Sequence, residues 1–109
     1  MNVENNKIKE VFDTLFSEWQ KMIQDPKIQL SSITQDYLNN EPYRNIIKMG
    51  TPALPLVIEK LKQGIFLLNH AVLAITGKKG EEVFGKEKRF LSEQEKSRYL
   101  VDWWNSQQQ

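Results

Sequence analysis

The chain is predicted to fold as an all-helical domain, a compact bundle of about five helices, and three observations lead there. Apolar residues recur three and four apart over long stretches, the period of a helix and not of a strand. Prolines and glycines fall at the edges of these stretches, where helices begin and end. A Ser-x-x-Glu capping box, Ser92 with Glu95, stands before the last of them. With 109 residues the chain can enclose one continuous core, so a single domain over 1–109 is expected.

The first helix is the plainest. Ile8, Val11, Phe12, Leu15, Phe16, Trp19, Met22 and Ile23 share one face, while Lys9, Glu10, Asp13, Glu18 and Lys21 take the other. Asp25-Pro26 supplies a stop, because proline disfavours helical geometry in the residue before it, and the helix is placed at about residues 4–24. In the segment from Leu30 to Asn40, Ser31, Ser32 and Thr34 offer side-chain oxygens able to cap a short helix. A second helix, about 42–49, carries Tyr43, Ile46 and Ile47, with Pro42 in its first turn and Gly50 as a left-handed stop.

Thr51 is positioned to cap a third helix that tolerates Pro52 and Pro55 near its start, buries Leu54, Val57, Ile58 and Leu61, and ends at Gly64. The stretch Phe66 to Ile75 is apolar nearly all round, as in a central helix enclosed on several sides, and Thr76-Gly77 ends it. Residues 78–91 have mixed charge, glycines and little periodicity, and read as an exposed loop. The last helix, about 93–105, lines up Tyr99, Leu100, Trp103 and Trp104, and 106–109 should fray. In this layout the segments 4–24 and 92–105 cap a helical core over 42–77.

Composition excludes several functions. Fifteen basic against fourteen acidic residues leave a net charge of +1, so no global field draws in nucleic acid or an anionic membrane. The absence of cysteine removes thiolate catalysis, disulfides and cysteine-based metal sites. The opening MNVENNKIKE lacks the apolar stretch of a secretory signal, and a cytoplasmic location is expected. The most apolar run, Ile65 to Ile75, is broken by Asn69 and His70 and falls well short of the roughly 20 residues that span a bilayer.

The run from Met49 through Gly50-Thr51-Pro52-Ala53-Leu54-Pro55-Leu56 to Leu61 resembles the first helix of a HEAT-like repeat. Ala71-Val72-Leu73-Ala74-Ile75-Thr76-Gly77 resembles the second helix, in which small residues allow close approach. With Tyr43, Ile46-Ile47 and a terminal Trp103-Trp104 helix, the wider pattern is similar to a group of small bacterial and phage-associated proteins of unknown function. The sequence departs from that pattern at Leu67-Leu68-Asn69-His70, where more aromatic residues are usual. The resemblance implies antiparallel helix pairs and brings no catalytic residues to carry over. Because solenoids normally need about three repeats, a lone hairpin requires its flanking helices as caps.

Residues with chemical potential each have a plainer reading. Gly80 to Glu87 approaches a phosphate-binding loop, but Glu87 replaces the magnesium-holding hydroxyl, Glu81 and Glu82 repel phosphate, and no strand precedes it. His70, the only histidine, could act as a base or ligand, yet with no second soft ligand or nucleophile beside it the expected role is burial. Asn69 is expected to satisfy a backbone group, and Glu93, Glu95, Glu81 and Glu82 to be solvated charges.

What remains is a surface. Lys78, Lys79, Lys86, Lys88 and Arg89, with Phe84 and Phe90 among them, form a locally basic loop that either is solvated and pinned by its phenylalanines or holds a nucleic-acid backbone. Trp103 and Trp104 are adjacent and point about 100° apart, so one can be core while the other anchors an interface. The candidate surface is therefore Tyr99, Trp103, Trp104, Lys78, Lys79, Phe84, Lys86, Lys88 and Arg89. A non-catalytic helical module is expected, without cofactor or metal, that binds a protein partner or itself. The alternative is a nucleic-acid-associated accessory factor using residues 78–89.

Overall fold

The computed structural model describes residues 3–30, 35–78 and 92–107. The fold is all-α, with seven α-helices, two 3-10 turns and no strand among the described residues. The chain divides into two compact units, Met1–Ala53 and Leu54–Gln109. No helix among the described residues is long and apolar enough to cross a membrane. Of the expected loop over 78–91 only Lys78 is described, and Ser31, Ser32 and Thr34 also lie outside the described residues.

In the first unit α1 spans Val3–Ile23, close to the span its periodicity predicts. Phe12 and Trp19 are fully buried, but Val11 and Met22, which the spacing assigned to the same face, stand about half exposed. The apolar arc of α1 is wider than the surface packed against it. Asp25 and Pro26 both stop α1 and start another helix: Asp25 Oδ1 accepts the Lys27 N–H at 2.9 Å and caps the single-turn α2, Pro26–Gln29. That start was not foreseen, since an Asp-Pro pair reads equally as an end and as a cap followed by a first-turn proline.

A second short helix, α3 at Gln35–Leu38, leads to α4 at Glu41–Met49. The cap of α4 is Asn40, in extended conformation, whose Oδ1 accepts the Tyr43 N–H at 2.9 Å. Gly50 ends α4 with φ +76 as expected for a glycine stop, but its ψ of −158 lies outside the left-handed helical region that the sequence predicted. Any side chain there would be strained. A 3-10 turn, Thr51–Ala53, follows where an α-helix was expected to begin.

The unit closes on an aromatic row. Phe12 and Phe16 stack with ring centroids 5.9 Å apart, Phe16 meets Trp19 at 5.9 Å, and Trp19 meets Tyr43 of α4 at 5.3 Å. Trp19 Nε1 donates to the Tyr37 carbonyl at 2.7 Å, and Asn40 Nδ2 donates to the same oxygen at 2.9 Å. One carbonyl of the poorly patterned α3 is thus held by a buried tryptophan of α1 and by the cap residue of α4.

In the second unit α5 runs Leu54–Lys62, with Pro55 in its first turn, where no intrahelical donor is required. It ends in a Schellman motif: Gly64, at φ +95, donates to the Leu61 carbonyl at 3.0 Å and Ile65 to the Lys60 carbonyl at 3.1 Å. A 3-10 turn, Phe66–Leu68, precedes α6 at Asn69–Thr76, which Gly77 closes in left-handed conformation. The final helix, α7, is Glu93–Gln107. Helices α5, α6 and α7 pack on one another and bury Leu54, Val57, Ile58, Leu61, Val72 and Leu100.

Two expectations fail here. Helix α6 is not enclosed all round, for Ala74 is exposed and Leu73 and Ile75 are half-buried, so its buried residues are Asn69, Ala71 and Val72. Ser106 and Gln107 remain helical, with the Ser106 hydroxyl bonded to the Trp103 carbonyl at 2.7 Å.

Removing either donor to the Tyr37 carbonyl should loosen the first unit. We expect Asn40→Ala to lose about 1–2 kcal/mol through the missing cap, and Trp19→Ala about 3–5 kcal/mol through the emptied core, in urea unfolding followed by far-UV circular dichroism. An Asn40→Ala protein as stable as wild type would refute the organising role of this amide.

Candidate interaction surface

The surface predicted from sequence is built on α7, and what α7 shows is set by how it is fixed. Its start carries the full capping box: Glu95 N–H donates to Ser92 Oγ at 3.2 Å, and Ser92 N–H donates to Glu95 Oε1 at 3.2 Å. Its rotation is fixed from α6. Asn69, only 1% exposed, donates from Nδ2 to the Glu93 carbonyl at 2.8 Å and to Glu93 Oε2 at 3.2 Å. Asn69 thereby satisfies a backbone group, as its position on an apolar helix suggested, while its Oδ1 has no hydrogen-bond partner among the described residues.

With that rotation, Glu93, Ser97, Leu100 and Trp104 follow one another three and four residues apart, and Ser97 and Leu100 are buried. Trp103 and Trp104 then fall on opposite sides of Leu100, about 100° apart, and both end up half-buried. Their rings lie 6.4 Å apart at 52°. Neither is the fully buried core residue that one alternative required. Tyr99, 37% exposed, sits one turn before Trp103 on the same edge. Lys78 Nζ, beyond the end of α6, lies 5.9 Å from the Trp103 ring centroid, within cation–π reach.

The structure therefore brings Tyr99, Trp103 and Lys78 to one edge of α7 and places Trp104 on the other. Lys79, Phe84, Lys86, Lys88 and Arg89, and the Gly80 to Glu87 motif, lie outside the described residues.

Sequence reasoning missed the opposite edge, where α7 and the end of α5 enclose a groove of about 400 Å³ lined by Leu61, Gly64, Phe66, Ser97, Arg98 and Val101. The available signal was Ser97, a small residue in the otherwise inward row of α7, which leaves room where a leucine would fill it.

His70 differs from expectation. It is not buried: its side chain is 37% exposed, and its Nε2 lies 3.1 Å from Glu93 Oε1. Glu93 is correspondingly not a free solvated charge. It is half-buried and engages Asn69, His70 and, at 3.9 Å, Lys96 Nζ, whereas Glu95 is exposed as expected. A carboxylate committed to three neighbours orients the base of α7. No group of three or more His, Asp or Glu side chains among the described residues could hold a metal ion.

Comparison with protein-family models, with curated proteins and with solved structures finds no match.

The two α6 residues that reach Glu93 differ in burial, which gives them different weights. Asn69→Ala should cost about 1–3 kcal/mol by stripping a buried donor from the Glu93 carbonyl, whereas His70→Ala, losing a half-exposed pair, should cost less than about 1 kcal/mol. Chemical denaturation of both variants checks the order, and the reverse order would show that the imidazole, not the amide, fixes α7.

Proposed function

We propose that the chain is a small helical interaction module of HEAT-like kind, without catalytic activity, that binds a protein partner in the cytoplasm through the Tyr99–Trp103 edge of α7. The supporting observation is the exposure of Tyr99 beside a partly exposed Trp103, one turn apart on a helix whose first residue is held by a buried amide. Aromatic side chains offer large contact area with few rotatable bonds, and a rigid helix presents them with little further ordering on binding. Lys78 adds a cation beside Trp103, which favours a partner bringing an acidic group next to an apolar one.

The HEAT-like reading draws support from α5 packed on α6, with Ala71 fully buried in the paired stripe and glycines ending both helices at Gly64 and Gly77. The non-catalytic reading draws on His70 and Glu93, whose contacts are with each other and with neighbouring structural groups.

Affinity capture from the native host followed by titration with the purified partner tests this. Tyr99→Ala and Trp103→Ala should each weaken binding by roughly 30-fold or more, the loss seen for aromatic anchors, with helicity retained. Unchanged affinity in both variants would remove this edge from the interface.

A further inference from the structure

We infer that the groove between the end of α5 and α7 is a small-molecule site that takes a monocarboxylate with an apolar body. Ser97 lines this groove and is only 3% exposed, yet its hydroxyl makes no hydrogen bond among the described residues. A serine inside a helix ordinarily turns its hydroxyl to the carbonyl one turn before it. For Ser97 that carbonyl belongs to Glu93, and it already accepts the helical N–H and, at 2.8 Å, Asn69 Nδ2, so both of its lone pairs are taken. Among the described residues only Asn69 Oδ1 is both unpartnered and sealed from solvent, so Ser97 Oγ keeps an opening, and the groove is what it lines. The amide that fixes α7 thus leaves a hydroxyl donor at the floor of the groove, served by water until an acceptor displaces it.

The lining selects the acceptor. Leu61, Phe66 and Val101 supply an apolar wall, and the volume of about 400 Å³ lies in the range of small-molecule sites. Arg98, next in sequence to Ser97, is exposed and has no ion-pair partner among the described residues, whereas Lys62 on the facing side already engages Glu59 at 3.7 Å. A carboxylate can accept from a hydroxyl and a guanidinium together, and the wall receives the apolar group attached to it. Asp102, on the same rim one turn beyond Arg98, repels a second negative charge. That sets a monocarboxylate above a dicarboxylate or a phosphate monoester.

Titration of the isotope-labelled full chain with phenylbutyrate, followed by heteronuclear NMR, tests the assignment. The expected result is saturable shifts at Leu61, Ser97 and Val101 with a Kd of about 1–10 mM, in keeping with a ligand of this size. The neutral analogue phenylbutyramide should bind roughly tenfold more weakly, as should phenylbutyrate to Arg98→Gln, while Ser97→Ala should weaken binding roughly fivefold. Shifts that do not saturate by about 50 mM overturn the inference. So does an amide that binds as tightly as the acid, a Kd indifferent to both substitutions, or saturable binding whose shifts gather away from these residues.

Discussion

Each unit is arranged around a buried asparagine that must find hydrogen-bond partners, and in each case one partner is a backbone carbonyl that the hydrophobic pattern alone would not have positioned. Asn40, 8% exposed, gives its amide N–H to the Tyr37 carbonyl and takes the Tyr43 N–H, joining α3 to α4. Asn69, 1% exposed, gives its amide to the Glu93 carbonyl and joins α6 to α7. An apolar residue in either place would pack against any neighbour at many rotations. A buried amide accepts few, because leaving it unpaired costs about 1–3 kcal/mol. Hydrophobic burial draws these helices together, and the two amides choose how they meet.

The consequence for α7 is geometric. A helix fifteen residues long, carrying Leu100, Trp103 and Trp104 close together, has more apolar surface than one facing groove can cover. If it were free to rotate, it could bury either tryptophan fully at the other's expense. With Glu93 tied to Asn69, Leu100 goes inward and the two indoles are left astride it, each partly wet. The same constraint turns Ser97 inward, where its small volume opens the groove beside Phe66 and Val101. Surface character at the far end of α7 is thus fixed by a hydrogen bond at its first residue.

Much of this was legible in the sequence where one signal dominates. The period of α1, the glycines after α5 and α6, and the Ser92–Glu95 box all marked what they proved to mark, because each has a single strong physical reading, while Gly50 marked the end of α4 but not its conformation. Illegible parts were those where one residue type serves two ends. Asp25-Pro26 stops α1 and starts α2; Thr51-Pro52 looks like a helix start but forms a 3-10 turn before α5. Asn40 before Glu41-Pro42 was a readable cap, yet its second task, holding the Tyr37 carbonyl, depends on a contact that no local pattern encodes. For the candidate surface, residue types pointed to Tyr99, Trp103 and Trp104, but their division between two edges of α7 follows from Asn69, 34 residues before Trp103.

Periodicity also misled in an instructive way. Val11 and Met22 belong by spacing to the inner face of α1, and a reading based on spacing alone buries them with Phe12 and Trp19. A helix packed against one principal neighbour shields an arc narrower than the one α1 makes apolar. Phe12, Phe16, Trp19 and Tyr43 fill that arc with large rings, and the residues at its edge stay in water. Apolar excess at an edge is tolerated only if it is small or is covered by something else. Scattered single residues meet the first condition, and Val11 and Met22, separated by the half-buried Leu15 and the charged Glu18, are of that kind. The width of the apolar arc is therefore separate from its period: period identifies the helix, while the packing of Phe12, Trp19 and Tyr43 decides which part of the arc is buried.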